Sequence, residues 1–311
     1  MPIFDSLAPI LLLLALGAAL ARWKFLGIEF MGDLNRLAFW IALPAMMFQA
    51  IAHAGTPGRQ TWLLLALLYA GTLLIFGGSW LLGYFLRMPP STLGAFVQSS
   101  YRGNLAYIGV PVLAYAFDAL PDFEKSRFMA TALLVMAPMT ALFNVLAVIA
   151  LQGPQHTFGA TGVRIIVRSI LTNPLIIACA AGLIFALLHV PIPRFADRTL
   201  EALGGAAVPI ALLCIGGSLA SIRLGGNRLA IIGATLLKVL AAPLLAFTLC
   251  RAFGISGPDL KIALVLSACP TAAAAYIMAR QLGGDEHLTS GAIALSTVVA
   301  GPVLAIALWA H

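Results

Sequence analysis

Ser99-Ser100-Tyr101-Arg102-Gly103-Asn104-Leu105-Ala106-Tyr107-Ile108-Gly109-Val110-Pro111 lies in the middle of a long apolar run. Gly103 and Gly109 loosen a helix there, and Pro111 removes an amide donor and crowds the preceding turn. A second apolar run carries the counterpart, Ser267-Ala268-Cys269-Pro270-Thr271-Ala272-Ala273-Ala274-Ala275-Tyr276, broken at Pro270. Interrupted apolar segments at corresponding places in two halves of a chain point to a pair of discontinuous membrane helices that hold a transported ligand.

The composition sets the solvent in which these runs must be read. Of 311 residues, 61% are hydrophobic and 9% charged, with a mean hydropathy of +1.01, whereas an average soluble domain carries roughly a quarter charged residues. So few charges cannot cover a water-facing surface, and the expected fold class is an all-α polytopic membrane protein. The net charge of +7 comes from Lys and Arg scattered singly between apolar runs, which fits membrane topology and not nucleic-acid binding. Cys179, Cys214, Cys250 and Cys269 fall inside apolar stretches without metal-ligand spacing, and the histidines, His53, His156, His189, His287 and His311, sit at span ends or in loops. No metal and no cofactor is expected. Gly283-Gly284-Asp285-Glu286-His287 looks like a nucleotide-cyclase signature, but it is a short loop between apolar runs. Metalloprotease, Walker and nucleophile-elbow motifs are lacking, so the chain is not read as an enzyme.

Apolar runs predict ten spans near 6–22, 35–53, 62–86, 91–117, 127–151, 170–189, 199–220, 228–250, 258–281 and 288–309, each close to the ~20 residues needed to cross the hydrocarbon. Nine basic residues fall inside if the N-terminus is outside (Arg22, Lys24, Arg36, Arg87, Arg164, Arg168, Arg223, Arg228 and Arg280), against seven outside. That bias favours both termini outside. A shift of 165 residues lays Pro9 on Pro174, Gly17 on Gly182 and Pro44 on Pro209. A shift of 164 pairs Arg87 with Arg251 and Pro138 with Pro302, and one of 168 pairs Pro90 with Pro258 and Ser99 with Ser267. Residues 1–151 and 170–311 then form two five-span repeats joined by a cytoplasmic linker at 152–169. An odd number of spans per repeat inverts the second copy.

A break inside hydrocarbon frees backbone groups that protein, water or ligand must satisfy. If the helices restart near Asn104 and Ala272, two half-helix N-termini direct amides and positive dipole ends at the midplane, where anions bind. Arg102 adds a guanidinium able to grip a carboxylate; structural pairing with a backbone carbonyl is its other reading. Lys238, inside the eighth span, is read either as a ligand group or as a partner of carbonyls exposed by the breaks. None of the 11 Asp and Glu residues falls in mid-span, so an organic anion is the expected substrate class. Asn104 is expected to touch it, with Gly103, Tyr107, Asn144, Ser267, Pro270, Thr271, Ala272 and Tyr276 as further candidates.

Tyr101-Arg102-Gly103-Asn104 before Gly109-Val110-Pro111, Ser267-Ala268-Cys269-Pro270-Thr271-Ala272-Ala273-Ala274, Asn35 through Pro44 and Lys238 to Pro243 together resemble the auxin efflux carrier family. The resemblance is greatest to its bacterial branch of malonate and organic-acid transporters and runs from the first span to the last. It implies a fold similar to the bile-acid/sodium symporters and sodium/proton antiporters, with helices four and nine crossing at their breaks. Spans one, two, six and seven would form a scaffold and homodimer contact, and three to five with eight to ten a domain that moves by an elevator mechanism in the cytoplasmic (inner) membrane. The family's crossover Asn and Pro correspond to Asn104, Pro111 and Pro270, and Arg102 tilts the substrate toward a small carboxylate of malonate or malate size. A long hydrophilic central loop, present in the plant carriers, is lacking. Coupling to a proton or to sodium is left open, and the competing readings are a sodium-coupled symporter of bile-acid type and a non-transporting receptor or embedded enzyme.

Overall fold

The computed structural model describes residues 2–54, 56–118, 120–155, 159–219 and 226–309. Arg223, His156 and His311 lie outside them. The described chain is helical from end to end, and its single β-type pairing is an isolated antiparallel bridge between Gly103 and Thr271. Glu29–His53, Arg59–Phe85, Asp122–Gln152, Arg194–Gly217, Arg228–Ala252 and Glu286–Trp309 are each long and apolar enough to cross a membrane. Ala160–Leu171 and Pro174–Leu188, bent by 51°, make a seventh if counted as one span. The remaining expected spans fall on shorter or interrupted helices: Pro2–Arg22, Pro90–Tyr101 followed by Val110–Ala116, and Gly257–Ala268 followed by Ala274–Gln281. Residues 160–169 of the expected linker are helical, as part of Ala160–Leu171. Large apolar side chains point outward along the long helices, among them Leu73, Leu74, Leu81 and Leu82, as lipid contact requires. The chain is a multi-pass helical membrane protein.

Three short π-helical stretches, Ala38–Ala42, Leu105–Gly109 and Leu237–Ala241, each precede a proline at the second position of the next helix: Pro44, Pro111 and Pro243. A proline ring collides with the carbonyl four residues back and offers it no N–H, so the turn before it widens. The amide before the ring then reaches five residues back, Leu43 to Ala38 O and Ala242 to Leu237 O. Lys238 sits in the last of these widened turns.

Contacts divide the chain into two units, each drawing on both sequence halves. The first comprises Met1–Trp62, Ala106–Pro138 and Thr172–Ser221. In it Pro2–Arg22 packs along Ala207–Leu219. A Cβ on Gly17 would lie 2.2 Å from Leu213 O, and one on Gly216 2.0 Å from Leu14 O, so the backbones meet through the two glycines. Leu43–His53 is held in the same way by Gly182, facing Phe48 O, and Gly204, facing Met46 Cα. Spans one, two, six and seven, the expected scaffold, fall in this unit; Ala106–Pro138, expected with the moving domain, groups here as well.

The second unit comprises Leu63–Leu105, Met139–Leu171 and Ile222–His311. Here Arg228–Leu236 packs on both Pro90–Tyr101 and Glu286–Trp309, and Ala242–Ala252 packs on Gly257–Ala268. A Cβ on Gly94 would sit 2.5 Å from Ala150 O, which brings the helix carrying Arg102 at its end against the one carrying Asn144.

Candidate functional site

Both expected breaks are present, and in the second unit they run past each other. The helix Pro90–Tyr101 stops before Arg102, whose backbone is extended (φ −74°, ψ 100°), and Gly257–Ala268 stops before Cys269 (φ −52°, ψ 136°). The Asn104 amide donates to Pro270 O at 2.8 Å, and the Ala272 amide to Arg102 O at 3.0 Å. This corrects one expectation. Those two amides do not point freely at a ligand, because an unpaired donor in hydrocarbon is costly and each break is the other's nearest acceptor. The helices restart slightly later, at Leu105 and Ala274.

Side chains complete the crossing. Thr271 Oγ1 donates to Ser99 O at 2.9 Å, and the Thr271 amide to Ser296 Oγ at 3.0 Å. The buried Gln98 reaches across with Nε2 to Ala275 O at 3.0 Å. Ser267 Oγ turns back to its own helix at Leu264 O. Thr271 and Ser267 are therefore occupied in structural bonds through their hydroxyls. The Asn104 side chain, buried at 8% exposure, makes no hydrogen bond among the described residues and keeps two donors and an acceptor for a guest.

Arg102 is buried, and its guanidinium donates to Phe143 O at 3.2 Å and to Asn144 Oδ1 at 2.7 Å. Tyr101 Oη donates to the same Phe143 carbonyl at 3.3 Å. Both readings of Arg102 thus have a foothold: it is held by a carbonyl and an amide oxygen, and both are neutral. Lys238, with 1% exposure, donates from Nζ to Ser267 O, and a Cβ on Gly103 would lie 3.4 Å from that Nζ. The ion pairs formed among the described residues, Arg36–Asp33, His53–Asp197 and Lys125–Asp118, involve neither cation, and no Asp or Glu there is buried. Two positive charges therefore sit in low dielectric without a counter-ion, an arrangement that attracts an anion.

A cleft lies beside Lys238, lined by Tyr101, Phe143, Lys238 and Ser267 with Leu68, Gly71, Thr72 and other small or apolar residues. Arg102, Gly103, Asn104, Asn144, Lys238, Ser267, Pro270, Thr271 and Ala272 are all brought into the second unit. Tyr107 and the later break residues Gly109 and Pro111 belong to the first, where Tyr107 Oη donates to Asn35 O at 3.3 Å. Tyr276 is half-buried on Ala274–Gln281. Gln98, Ser99 and Ser296 were missed as site residues by the sequence reading. The polar run Gln98-Ser99-Ser100 inside an apolar span was a readable signal for the first two, whereas Ser296 is one hydroxyl in a long helix with nothing to single it out. No group of three or more His, Cys, Asp or Glu converges into a metal site among the described residues.

This geometry is carried by a chain with counterparts of 24–27% identity along most of its length. A family of membrane transport proteins matches residues 2–308. An uncharacterized transporter of Methanothermobacter thermautotrophicus is 27% identical over 310 residues, 98% of this chain and 96% of its own. A Rhizobium meliloti protein named "Putative malonate transporter" is 27% identical over 278 residues, covering 87% of this chain and 84% of that one. An uncharacterized transporter of Methanocaldococcus jannaschii is 24% identical over 316 residues, 98% of this chain and 97% of its own. With the match spanning all but the chain ends, and with the motifs at both helix breaks, the chain belongs to the membrane transport protein family, that of the auxin efflux carriers, and is a transporter, not an enzyme.

Proposed function

We propose that the chain carries a small mono- or dicarboxylate, of malonate or malate size, across the cytoplasmic membrane. The observation that carries this reading is the pair of buried cations, Arg102 and Lys238, at the crossing of two broken helices that contains no buried carboxylate among the described residues. A guanidinium held by neutral oxygens keeps its charge available, and a carboxylate meeting it gains charge-assisted hydrogen bonds. Asn104 supplies neutral donors beside it, while the missing side chain of Gly103 lets the Lys238 amine come close to the crossing. Asn144 orients the guanidinium, and Ser267, Pro270, Thr271 and Ala272 hold the second break in place. The exposed Ala273 and Ala274 open the start of Ala274–Gln281 to an anion. The malonate in the name of the Rhizobium meliloti relative supports the size class.

In this reading the ten apolar runs are ten spans in two inverted repeats, 1–151 and 170–311, with both termini outside, and the protein works as a homodimer. Spans three to five with eight to ten move as an elevator against spans one, two, six and seven, carrying the anion with them. The grouping of each unit from both sequence halves supports a division of this kind.

The test is uptake of radiolabelled malonate into proteoliposomes. Arg102→Ala should abolish saturable uptake while the protein still inserts and purifies as a single species, and Arg102→Lys, a point charge without the planar fork, should retain part of it. Undiminished uptake by Arg102→Ala overturns the proposal.

A further inference from the structure

We infer that Ala160–Leu171 lies along the membrane surface, with a ridge of apolar side chains among the acyl chains and two arginines on the phosphates of anionic phospholipids. The attachment is independent of what the protein transports.

This helix is an element of its own and not the opening of a span. It stops at Leu171, and the next helix starts afresh: Asn173 is extended (φ −77°, ψ 115°), its side chain accepts from the Leu175 and Ile176 amides at 2.9 Å and 3.4 Å, and Pro174 takes the first helical position. Pro174–Leu188 has 15 residues and rises about 22 Å, against the ~30 Å of hydrocarbon. The chain just before it is therefore still at the boundary between hydrocarbon and headgroups.

The order of side chains round Ala160–Leu171 fits such a boundary. Gly162 is buried and Ile165, Ile166 and Ser169 are half-buried, so one side of the helix faces protein. Val163, Val167 and Leu171, spaced four residues apart, form a ridge on the outer side with 49%, 48% and 68% exposure. Arg164 and Arg168, both exposed, form a second ridge one residue on, about 100° round the axis. Twelve residues are too few to cross a bilayer, and a lone helix of that length is marginal in water. A short helix with an apolar ridge beside a basic one is built to lie in the interface, its arginine stems reaching up to the headgroups.

Charge selects the lipid. The sequence has no Asp or Glu between Glu124 and Asp197, so the only charges on this helix are positive. A lipid phosphate meets a guanidinium with two parallel hydrogen bonds, and an anionic lipid such as phosphatidylglycerol leaves that phosphate charge unbalanced by a choline. A second copy of the same helix would instead set arginines against arginines.

The test places a nitroxide at Val167→Cys or at the exposed polar position Thr161→Cys, the four native cysteines being buried. The protein is held in nanodiscs of phosphatidylcholine with or without phosphatidylglycerol. With phosphatidylglycerol, collisions with a water-soluble nickel chelate should be several-fold rarer at 167 than at 161, and collisions with oxygen more frequent. Omitting phosphatidylglycerol, or adding Arg164→Gln and Arg168→Gln together, should return nickel access at 167 toward that at 161. Two charges at an anionic surface correspond to a shift of roughly 30-fold in the docking equilibrium. Raising the salt on the otherwise unsubstituted Val167→Cys protein screens the same attraction, so it should expose 167 without any loss of folding through the arginine changes. Equal nickel access at the two positions overturns the inference. Protection at 167 that survives omission of the lipid, high salt and the double substitution also overturns it, because protein and not lipid then covers the ridge. Inorganic phosphate added to phosphatidylcholine nanodiscs should not restore protection, and its doing so would overturn the assignment to lipid.

Discussion

Asn144→Asp is the sharpest perturbation that the site permits, because it is nearly isosteric and alters only charge. The Arg102 guanidinium has donors and no acceptor, so the Asn144 atom facing it at 2.7 Å is the oxygen. Replacing the amide with a carboxylate puts a full negative charge at that distance. In an effective dielectric of about 20, two unit charges so placed attract by roughly 6 kcal/mol. Burying the new carboxylate offsets part of this, leaving about 2–4 kcal/mol by which the internal pair outcompetes an external anion. The consequence is a loss of malonate affinity of roughly 30- to 1000-fold. The fold should be retained, since the new pair is satisfied within the protein. Asn144→Ala, which removes one hydrogen bond but leaves the guanidinium charge unneutralised, should impair binding less than Asn144→Asp. The assay is the malonate-induced rise in melting temperature together with initial uptake rates in proteoliposomes. An Asn144→Asp protein with an unchanged KM would refute the idea that the unneutralised charge of Arg102 recruits the substrate.

Two further outcomes follow from the packing. Gly17→Ala and Gly216→Ala should each lower the melting temperature in detergent, because the added Cβ meets a backbone oxygen at 2.2 Å or 2.0 Å, and overpacking of this kind costs about 1–3 kcal/mol; Gly77→Ala, with nothing within 4 Å, is the control that should not fall, and equal melting of all three would contradict the close helix contact. Thr271→Val should destabilise the protein by about 1–3 kcal/mol by leaving Ser99 O without its donor, and Thr271→Ser should recover most of the loss; a valine variant that melts with the wild type would remove Thr271 from its bridging role.

Much of this protein is legible along the chain because the bilayer imposes one-dimensional rules. Apolar length announces a membrane helix, and Pro or Gly inside it announces a break, so the interruptions at Gly103 and Pro270 could be located from spacing alone. The same holds for the three prolines that follow widened turns: Pro44, Pro111 and Pro243 were visible as residues, and the π geometry before each is the local steric result. Buried charge was legible too, since Arg102 and Lys238 stand out against their surroundings. What those charges touch was not. Each has a backbone carbonyl among its partners, Phe143 O or Ser267 O, and every residue has a carbonyl, so no letter in the sequence marks the one that is chosen.

Tertiary structure also decided which amides stay free. From the chain alone, Asn104 and Ala272 were expected to offer theirs to a ligand, but the antiparallel crossing lets the two breaks satisfy one another, and Ser296, from a distant helix, completes the arrangement. Sequence by itself determined that this is a helical membrane protein with two broken spans, two cations within spans and no acid in mid-span, because those properties follow from composition and local order. Only the folded chain decided how the breaks pair and which carbonyl each cation holds, because hydrogen bonds between segments some 170 residues apart depend on where the helices meet and not on what precedes or follows them.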